Sequence, residues 1–495
     1  MRVLPLLDEP QFDLKNIQGD ILSGLPRNEQ TNYYFTISDS TLFKQHMKEF
    51  IPSITTALNV KEDRKTIEDY KVKRQARLLA GHSDPKLIKN VSVNVAFSKF
   101  GHEALGIDNR DLGDNAFALG QAADAIAKGT DDGKGLGDPE TLNSSGERVP
   151  RWDPEFLQRI DGFFLVTGDS DKTIQEKIGD IQSAFGVGSA TPSIKHVHSI
   201  SGKSLDGKIE HFGYKDDISN PAVKGFHDVV SLPPGPHAVN PGVILLGHPG
   251  DPNKSRNQGW TKDGSFLAFR YLHQLVPEFH RFLKDNVIAI QETGWKNEDL
   301  VNQLSARMFG RWKSGAPIDI VPFVDSKEVA EDQDLVNNFR FGLEQDVQKL
   351  CPFASHIRKV MPRDDRSAKV VDRSRIMRRG IPFGKTVTAD EEANERSDPQ
   401  TPRGMIFHCY QSSIEWGFRL VQIAWANNLD FPRPNSGLDP IIGQRKDVKE
   451  RKMSGINPND ASVELEFPDQ WVVPRGGEYF FVPSIEGLKQ KYAAV

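Results

Sequence analysis

Gly404-Met405-Ile406-Phe407-His408-Cys409-Tyr410 reads as a strand. It leads into 413–425, where Ile414, Phe418, Val421 and Trp425 recur at helical spacing and mark one apolar face. A strand followed by an amphipathic helix has to bury a face of each, and layering the two is the α+β solution. The rhythm extends outward from this point. Val243-Ile244-Leu245-Leu246, Ser265-Phe266-Leu267-Ala268-Phe269 and Tyr479-Phe480-Phe481-Val482 read as strands, and 277–285 as a helix. Upstream, strand-like runs occupy 32–37, 91–96, 163–166 and 194–198. Helical patterns fill 42–50 and 171–185, the second carried by Ile174, Ile178, Ile181 and Phe185. The halves look like weak structural copies. The aperiodic Pro233-Pro234-Gly235-Pro236 places a boundary between expected domains 1–235 and 236–495. Long polar segments at 108–151 and 370–402 read either as walls of a cofactor site or as surface excursions.

Composition narrows the function classes. The chain has 495 residues, 37% of them hydrophobic, enough for an ordinary core. Net charge is -5, with interspersed signs, so no nucleic-acid partner is expected. No apolar stretch approaches the roughly 18 residues of a membrane span, and no membrane association is expected. Cys351 and Cys409 are too few for a disulfide framework, and simple burial is their expected fate. The opening Met1-Arg2-Val3-Leu4-Pro5-Leu6-Leu7 is broken by Pro5 and lacks the apolar core of a secretory signal.

Three runs carry chemistry. His356 lies in Cys351-Pro352-Phe353-Ala354-Ser355-His356-Ile357-Arg358-Lys359, with Pro362-Arg363 downstream. A neutral imidazole beside a small apolar shelf and nearby cations suits an axial haem ligand, though a lone histidine is also an ordinary core residue. Arg378-Arg379-Gly380-Ile381-Pro382-Phe383-Gly384 reads either as a basic, glycine-capped end or as the source of a fixed guanidinium that stabilises charge as an O–O bond breaks. Asp216, in Gly213-Tyr214-Lys215-Asp216-Asp217-Ile218-Ser219-Asn220-Pro221, is a turn residue or a carboxylate that moves a peroxide proton.

These runs, in this order, together with Cys409-Tyr410-Gln411-Ser412-Ser413-Ile414-Glu415-Trp416-Gly417-Phe418 and the opening at 16–26, resemble the dye-decolorizing peroxidases, particularly fungal members. The resemblance implies two ferredoxin-like α+β halves with antiparallel sheets, forming a dimeric α+β barrel-like fold. It implies one haem b per chain in the C-terminal half. It implies His356 as axial ligand to the haem iron, Asp216 as distal acid–base residue and Arg378, rather than Arg379, as distal arginine. Arg363 resembles a propionate contact, and Glu415 resembles an acidic partner of the axial imidazole. The implied activity uses H2O2 to oxidise anthraquinone and azo dyes, phenols and candidate Mn2+ by one-electron steps through a ferryl intermediate. The alternative is a haem-binding or iron-handling protein of the same fold without peroxidase turnover. The fungal likeness favours an extracellular location, with the cytoplasm as alternative; oligomeric state is not legible.

Two departures stand out. Asp217 replaces the family's usual glycine, and Phe383 stands where several fungal relatives have a tyrosine. Without that phenol, electrons from bulky dyes need another entry, for which Trp260, Trp295, Trp312, Trp416, Trp425, Tyr271 and Tyr479 are candidates. His196-Val197-His198 is a weak metal motif. The acidic runs Asp364-Asp365 and Asp390-Glu391-Glu392 are candidate Mn2+ sites or solvated loops.

Overall fold

The computed structural model describes residues 12–494 except 80–87, 128–134, 217, 236–237, 257–258, 288–293, 342–347, 446–450 and 469. The first half contributes β1 (Glu29–Ile37), β2 (Val91–Ser98), β3 (Gly162–Gly168) and β4 (Ile194–Lys203), antiparallel in the order β2-β3-β1-β4. Helix α1 (Ser40–Phe50) and the long α2 (Ala57–Leu79) connect β1 to β2, and α3 (Asp171–Ala184) connects β3 to β4. The second half contributes β5 (Ser265–Gln274), β6 (Met377–Arg378), β7 (Ile381–Phe383), β8 (Gly404–Gln411) and β9 (Val472–Val482). Their order is β6-β8-β5-β9, with β7 also pairing to β8. Helix α4 (Val276–Asp285) follows β5, the short α5 (His356–Val360) lies further along the same crossover, and α6 (Glu415–Ala426) follows β8. Each half thus repeats one ferredoxin-like strand order.

The halves join into one barrel. Strand β9 pairs with β2 through Phe480↔Ser98 and Phe481↔Phe97. At the far edges β4 meets β7: a Cβ on Gly202 would lie 2.6 Å from Ile381 Cγ2 and 2.8 Å from the Pro382 carbonyl. Leu267 and Phe269 of β5 turn into the barrel with Tyr34, Phe163 and Phe480. The alternate Phe266 and Ala268 meet Tyr479, Phe481 and Phe418 on the helix side. Both faces of the strand are covered, which is why the run is continuously apolar instead of alternating.

Two elements depart from the sequence reading. Val243-Ile244-Leu245-Leu246 is not a strand: a 3-10 turn at Pro241–Val243 leads into a buried loop, and Ile244 and Leu245 both donate to the Pro241 carbonyl. An apolar run signals burial and cannot by itself choose the backbone shape. Helix α2 was invisible to periodicity because, of its 23 residues, only Ala57 and Val60 are buried. The boundary expected near 235 is bridged by a parallel pair, Ala222–Val223 with Ala238–Val239.

Candidate active site

A cavity of about 1190 Å³ opens between the sheet of the second half and helix α6. Arg270, Leu272 and Gln274 of β5 and Met405 and Phe407 of β8 reach it because alternate residues share one strand face. Phe418, Val421 and Gln422 wall it from α6, which is π-wound and broken at Gly417 (φ -97°, ψ -107°).

His356, the first residue of α5, lines this cavity. Its Nδ1 lies 2.9 Å from Oδ2 of the fully buried Asp439. Asp439 Oδ1 accepts from the backbone N–H of Ile441 (2.8 Å) and Ile442 (2.9 Å), so the carboxylate is held from both ends. An imidazole that donates through Nδ1 keeps its Nε2 lone pair for a metal. The resemblance implies Glu415 as the imidazole's acidic partner. The structure corrects this: the break at Gly417 separates the Glu415 turn from the turn that faces the cavity. Glu415 sits instead among Asn115, Arg419 and Asp114; burial, then the Asp114 charge, push its carboxyl up. Asp439 was missed because an aspartate before a proline reads as a turn.

Asp216 and Arg378 meet at the same cavity. Arg378 Nη1 is 3.5 Å from Asp216 Oδ1, and Nη2 donates to the Ser219 carbonyl at 3.0 Å. Both side chains keep a little over a third of their surface open, 38% and 36%. At 3.5 Å the pair is an electrostatic contact more than a tight hydrogen bond, so the carboxylate can still receive a guest. Asn220 sets the arginine's backbone: Arg378 N–H donates to its Oδ1 at 2.9 Å, and its Nδ2 donates back to the Arg378 carbonyl at 3.4 Å. Arg379 bonds elsewhere, donating to the carbonyls of Asp20 (3.0 Å) and Leu22 (2.6 Å). Asp217 lies outside the described residues.

Arg311, Arg363 and Arg375 also line the cavity. Arg311 donates to the Gly315 and Val336 carbonyls and to Asn337 Oδ1, and Arg363 to the Asn337 and Phe339 carbonyls. Arg375 packs Nη1 on Met361 Sδ and leaves its buried Nε without a partner. Burial and mutual repulsion push Arg311 down to about 9; burial, then Arg375, brings Arg363 to about 10. Burial likewise brings Arg375 to about 10, with Asp372 opposing and Arg378 adding. Buried cations bonded only to neutral groups are costly and call for anions. The cations next to His356 in sequence do not answer that need. Arg358 is locked on Asp365 at 2.7 Å, and Lys359 donates to the Asn428 carbonyl at 2.6 Å.

The family model described as the DyP dimeric alpha+beta barrel domain matches residues 16–204. The dye-decolorizing peroxidase msp1 of Mycetinis scorodonius is 37% identical, the alignment covering 97% of this chain and 87% of that one. The chain belongs to the dye-decolorizing peroxidase family. The AauDyP1 enzyme of Auricularia auricula-judae is 36% identical over the same shares. Among solved structures, an ancestral D-type dye-decolorizing peroxidase superposes with TM-score 0.87 at 46% identity, covering 98% of this chain and all of that one. A single-residue mutant of the Pleurotus ostreatus enzyme gives 0.88 at 40%, with the same coverage.

For a family of haem peroxidases, haem is the expected group, and the donor set fits it. One imidazole offers a free nitrogen to the cavity, and the arginine cluster, with its orphaned Nε, suits a dianionic edge. The other metal motifs do not assemble. Asp365 is paired with Arg358 and Glu391 with Arg403, each at 2.7 Å. His196 is bonded to Ser199 and stacked on Tyr33. Among the described residues no group of three or more His, Cys, Asp or Glu is placed to hold a metal ion. Phe383 stacks on Tyr271 at 4.4 Å. Of the candidate electron entries, Trp260, Trp312, Trp425 and Tyr479 are buried, whereas Trp416 is 39% exposed beneath the Arg373 guanidinium.

Proposed function

We propose that this peroxidase binds one haem b in the cavity, in the C-terminal half 236–495, and uses H2O2 to oxidise phenols and anthraquinone or azo dyes. The observation that carries the reading is the convergence of His356, Asp216 and Arg378 on one cavity. His356 would hold the iron through Nε2, and Arg363 with Arg311 and Arg375 would hold the propionates. Asp216 and Arg378, contributed by segments 162 positions apart, would face the other side of the macrocycle. When bound, haem supplies the iron that takes up oxidising equivalents from peroxide and returns them one electron at a time.

The chain's own residues do the remaining work. Asp216 Oδ1 accepts the proton of the inner peroxide oxygen and returns it to the outer oxygen, which leaves as water. Arg378 stabilises the negative charge that grows on the departing oxygen. The Ser219 carbonyl and Asn220 hold the guanidinium in place, so this stabilisation needs no rearrangement. A relative of 37% identity solved in complex with 2,6-dimethoxyphenol supports phenols as one reductant class. Dyes too bulky for the cavity would deliver electrons at Trp416, which stands two residues before the cavity-lining Phe418. Secretion is proposed with the activity, on the fungal likeness, and immunodetection in the culture medium of the source organism checks it.

Stopped-flow mixing of haem-loaded protein with H2O2 tests the reading. Asp216→Asn and Arg378→Leu are expected to slow the Soret change by about 10² to 10⁴. Rates equal to wild type in both variants would remove the assigned roles. A loaded protein that never reacts with peroxide would favour the alternative, a haem carrier of the same fold. Trp416→Phe is expected to cut turnover of a bulky dye while leaving turnover of 2,6-dimethoxyphenol unchanged; equal loss on both substrates would reject the surface entry.

A further inference from the structure

Asp216 rides on a small hairpin that is tied at its base. The Ile209↔Lys215 bridge closes it, Glu210 N–H donates to the Tyr214 carbonyl at 2.9 Å, and Asp216 N–H donates to the Lys208 carbonyl at 2.9 Å. The Glu210 side chain folds back beneath the tip. Its Oε2 accepts from Phe212 N–H at 3.0 Å and its Oε1 from Tyr214 N–H at 2.9 Å. Gln274, the last residue of β5, donates through Nε2 to Glu210 Oε2 at 2.6 Å. The other amide atom, Gln274 Oε1, is buried with no partner. Glu210, Gln274 and Asp216 all line the same cavity.

We propose that Glu210 is a positioning residue for Asp216, and that with Gln274 it forms a proton-dependent latch on the hairpin that carries the aspartate. The inference rests on the proposed role of Asp216. An ionised Glu210 has a lone pair for each of its three donors, and in that state the hairpin is fully tied. A proton on Oε2 removes an acceptor, and the new O–H needs one. Rotation of the Gln274 amide supplies it: Oε1 turns to Glu210, and the NH2 turns away from the carboxyl. The orphaned oxygen of one state is the acceptor of the other.

The surroundings allow the switch. Burial pushes the Glu210 carboxyl up to about 7; the three donors oppose this, and the Asp216 charge adds to it. From β5 it faces the neutral Gln274, Tyr214 and His211 flank it on its own segment, and the Lys313 stem passes the tip at Gly213. The hairpin itself stays seated through Tyr214, which stacks on Phe309 at 3.8 Å and bonds Ser305.

Cyanide binding to haem-loaded protein, read as a Soret displacement, tests the latch, because HCN must surrender its proton at the same place as peroxide. Wild type is expected to show an inflection near pH 7. Glu210→Gln should erase it, and Gln274→Leu, which deletes one donor to the carboxylate, should move it upward by about one unit. In the unloaded protein, Glu210 makes the fold lose stability as pH rises from 4.5 to about 7, and Glu210→Gln should flatten that loss in thermal melts. If Glu210→Gln and Gln274→Leu keep the wild-type inflection while Asp216→Asn weakens cyanide binding, the latch is wrong and the role of Asp216 stands. If Asp216→Asn also behaves as wild type, the proposed distal site itself fails. Should Glu210→Gln not fold, the shift or constancy of the Gln274→Leu inflection decides alone.

Discussion

His356 donates to a carboxylate that two backbone N–H groups already engage, and this arrangement fixes the tautomer, the ring orientation and the basicity of Nε2 together. On the proposed ligation, Asp439→Asn is expected to loosen haem by about 10- to 100-fold and to raise the reduction potential. Haem transfer to an apo-globin and a redox titration measure the two effects, and unchanged values in both would exclude Asp439 as the tuning partner. The family resemblance pointed to His356, Asp216 and Arg378, each in a run whose neighbours are themselves distinctive, and the structure brings the three to one cavity. The resemblance failed at Asp439, 83 positions from the histidine, since nothing local separates that carboxylate from an ordinary turn. It also misplaced Glu415, whose helix break is invisible in a pattern of apolar residues.

The hairpin and β6 are separate elements that Asn220 stitches together. Both of its side-chain groups bond the Arg378 backbone, so Asn220→Ala removes two hydrogen bonds; the half-buried N–H loses its Asn220 acceptor, while the carbonyl keeps Arg379 Nη1 at 3.1 Å. The expected cost is about 1 to 2 kcal/mol in denaturant unfolding. Freed from its anchor, the guanidinium should also slow the peroxide reaction by about tenfold. A variant with wild-type rate and stability would show that β6 is set by its pairing to β8 alone. Helices with an apolar stripe, such as α3 and α6, were legible from spacing, whereas α2 was not, because it buries too little to leave a stripe. The segment 243–246 marks the opposite failure, an apolar run buried as a loop.

Across the whole molecule, two buried imidazoles must stay neutral. His102, bonded to Asn109 and Tyr492, and His408, bonded to Asn32, are fully buried, and burial pushes each down to about 3. Their folded values lie below the ordinary 6.5, so their contribution is fully present above that pH and is lost as pH falls toward 3. Each is worth on the order of a few kcal/mol at most. Glu210 works in the other direction between 4.5 and about 7, so the decline should steepen below 4.5. Thermal melts from pH 7 downward check this; His102→Gln should flatten the slope, and an unchanged slope would assign acid unfolding to other groups. Most of the strands and helices, and the chemistry-bearing runs, were determined by the sequence itself, because burial pattern and motif depend on residues close along the chain. Which carboxylate holds His356, that Arg378 and Asp216 meet across 162 positions, and that β9 closes on β2 were decided only by the tertiary structure. Contacts of about 3 Å depend on direction as well as distance, and direction is set by the path of the whole backbone.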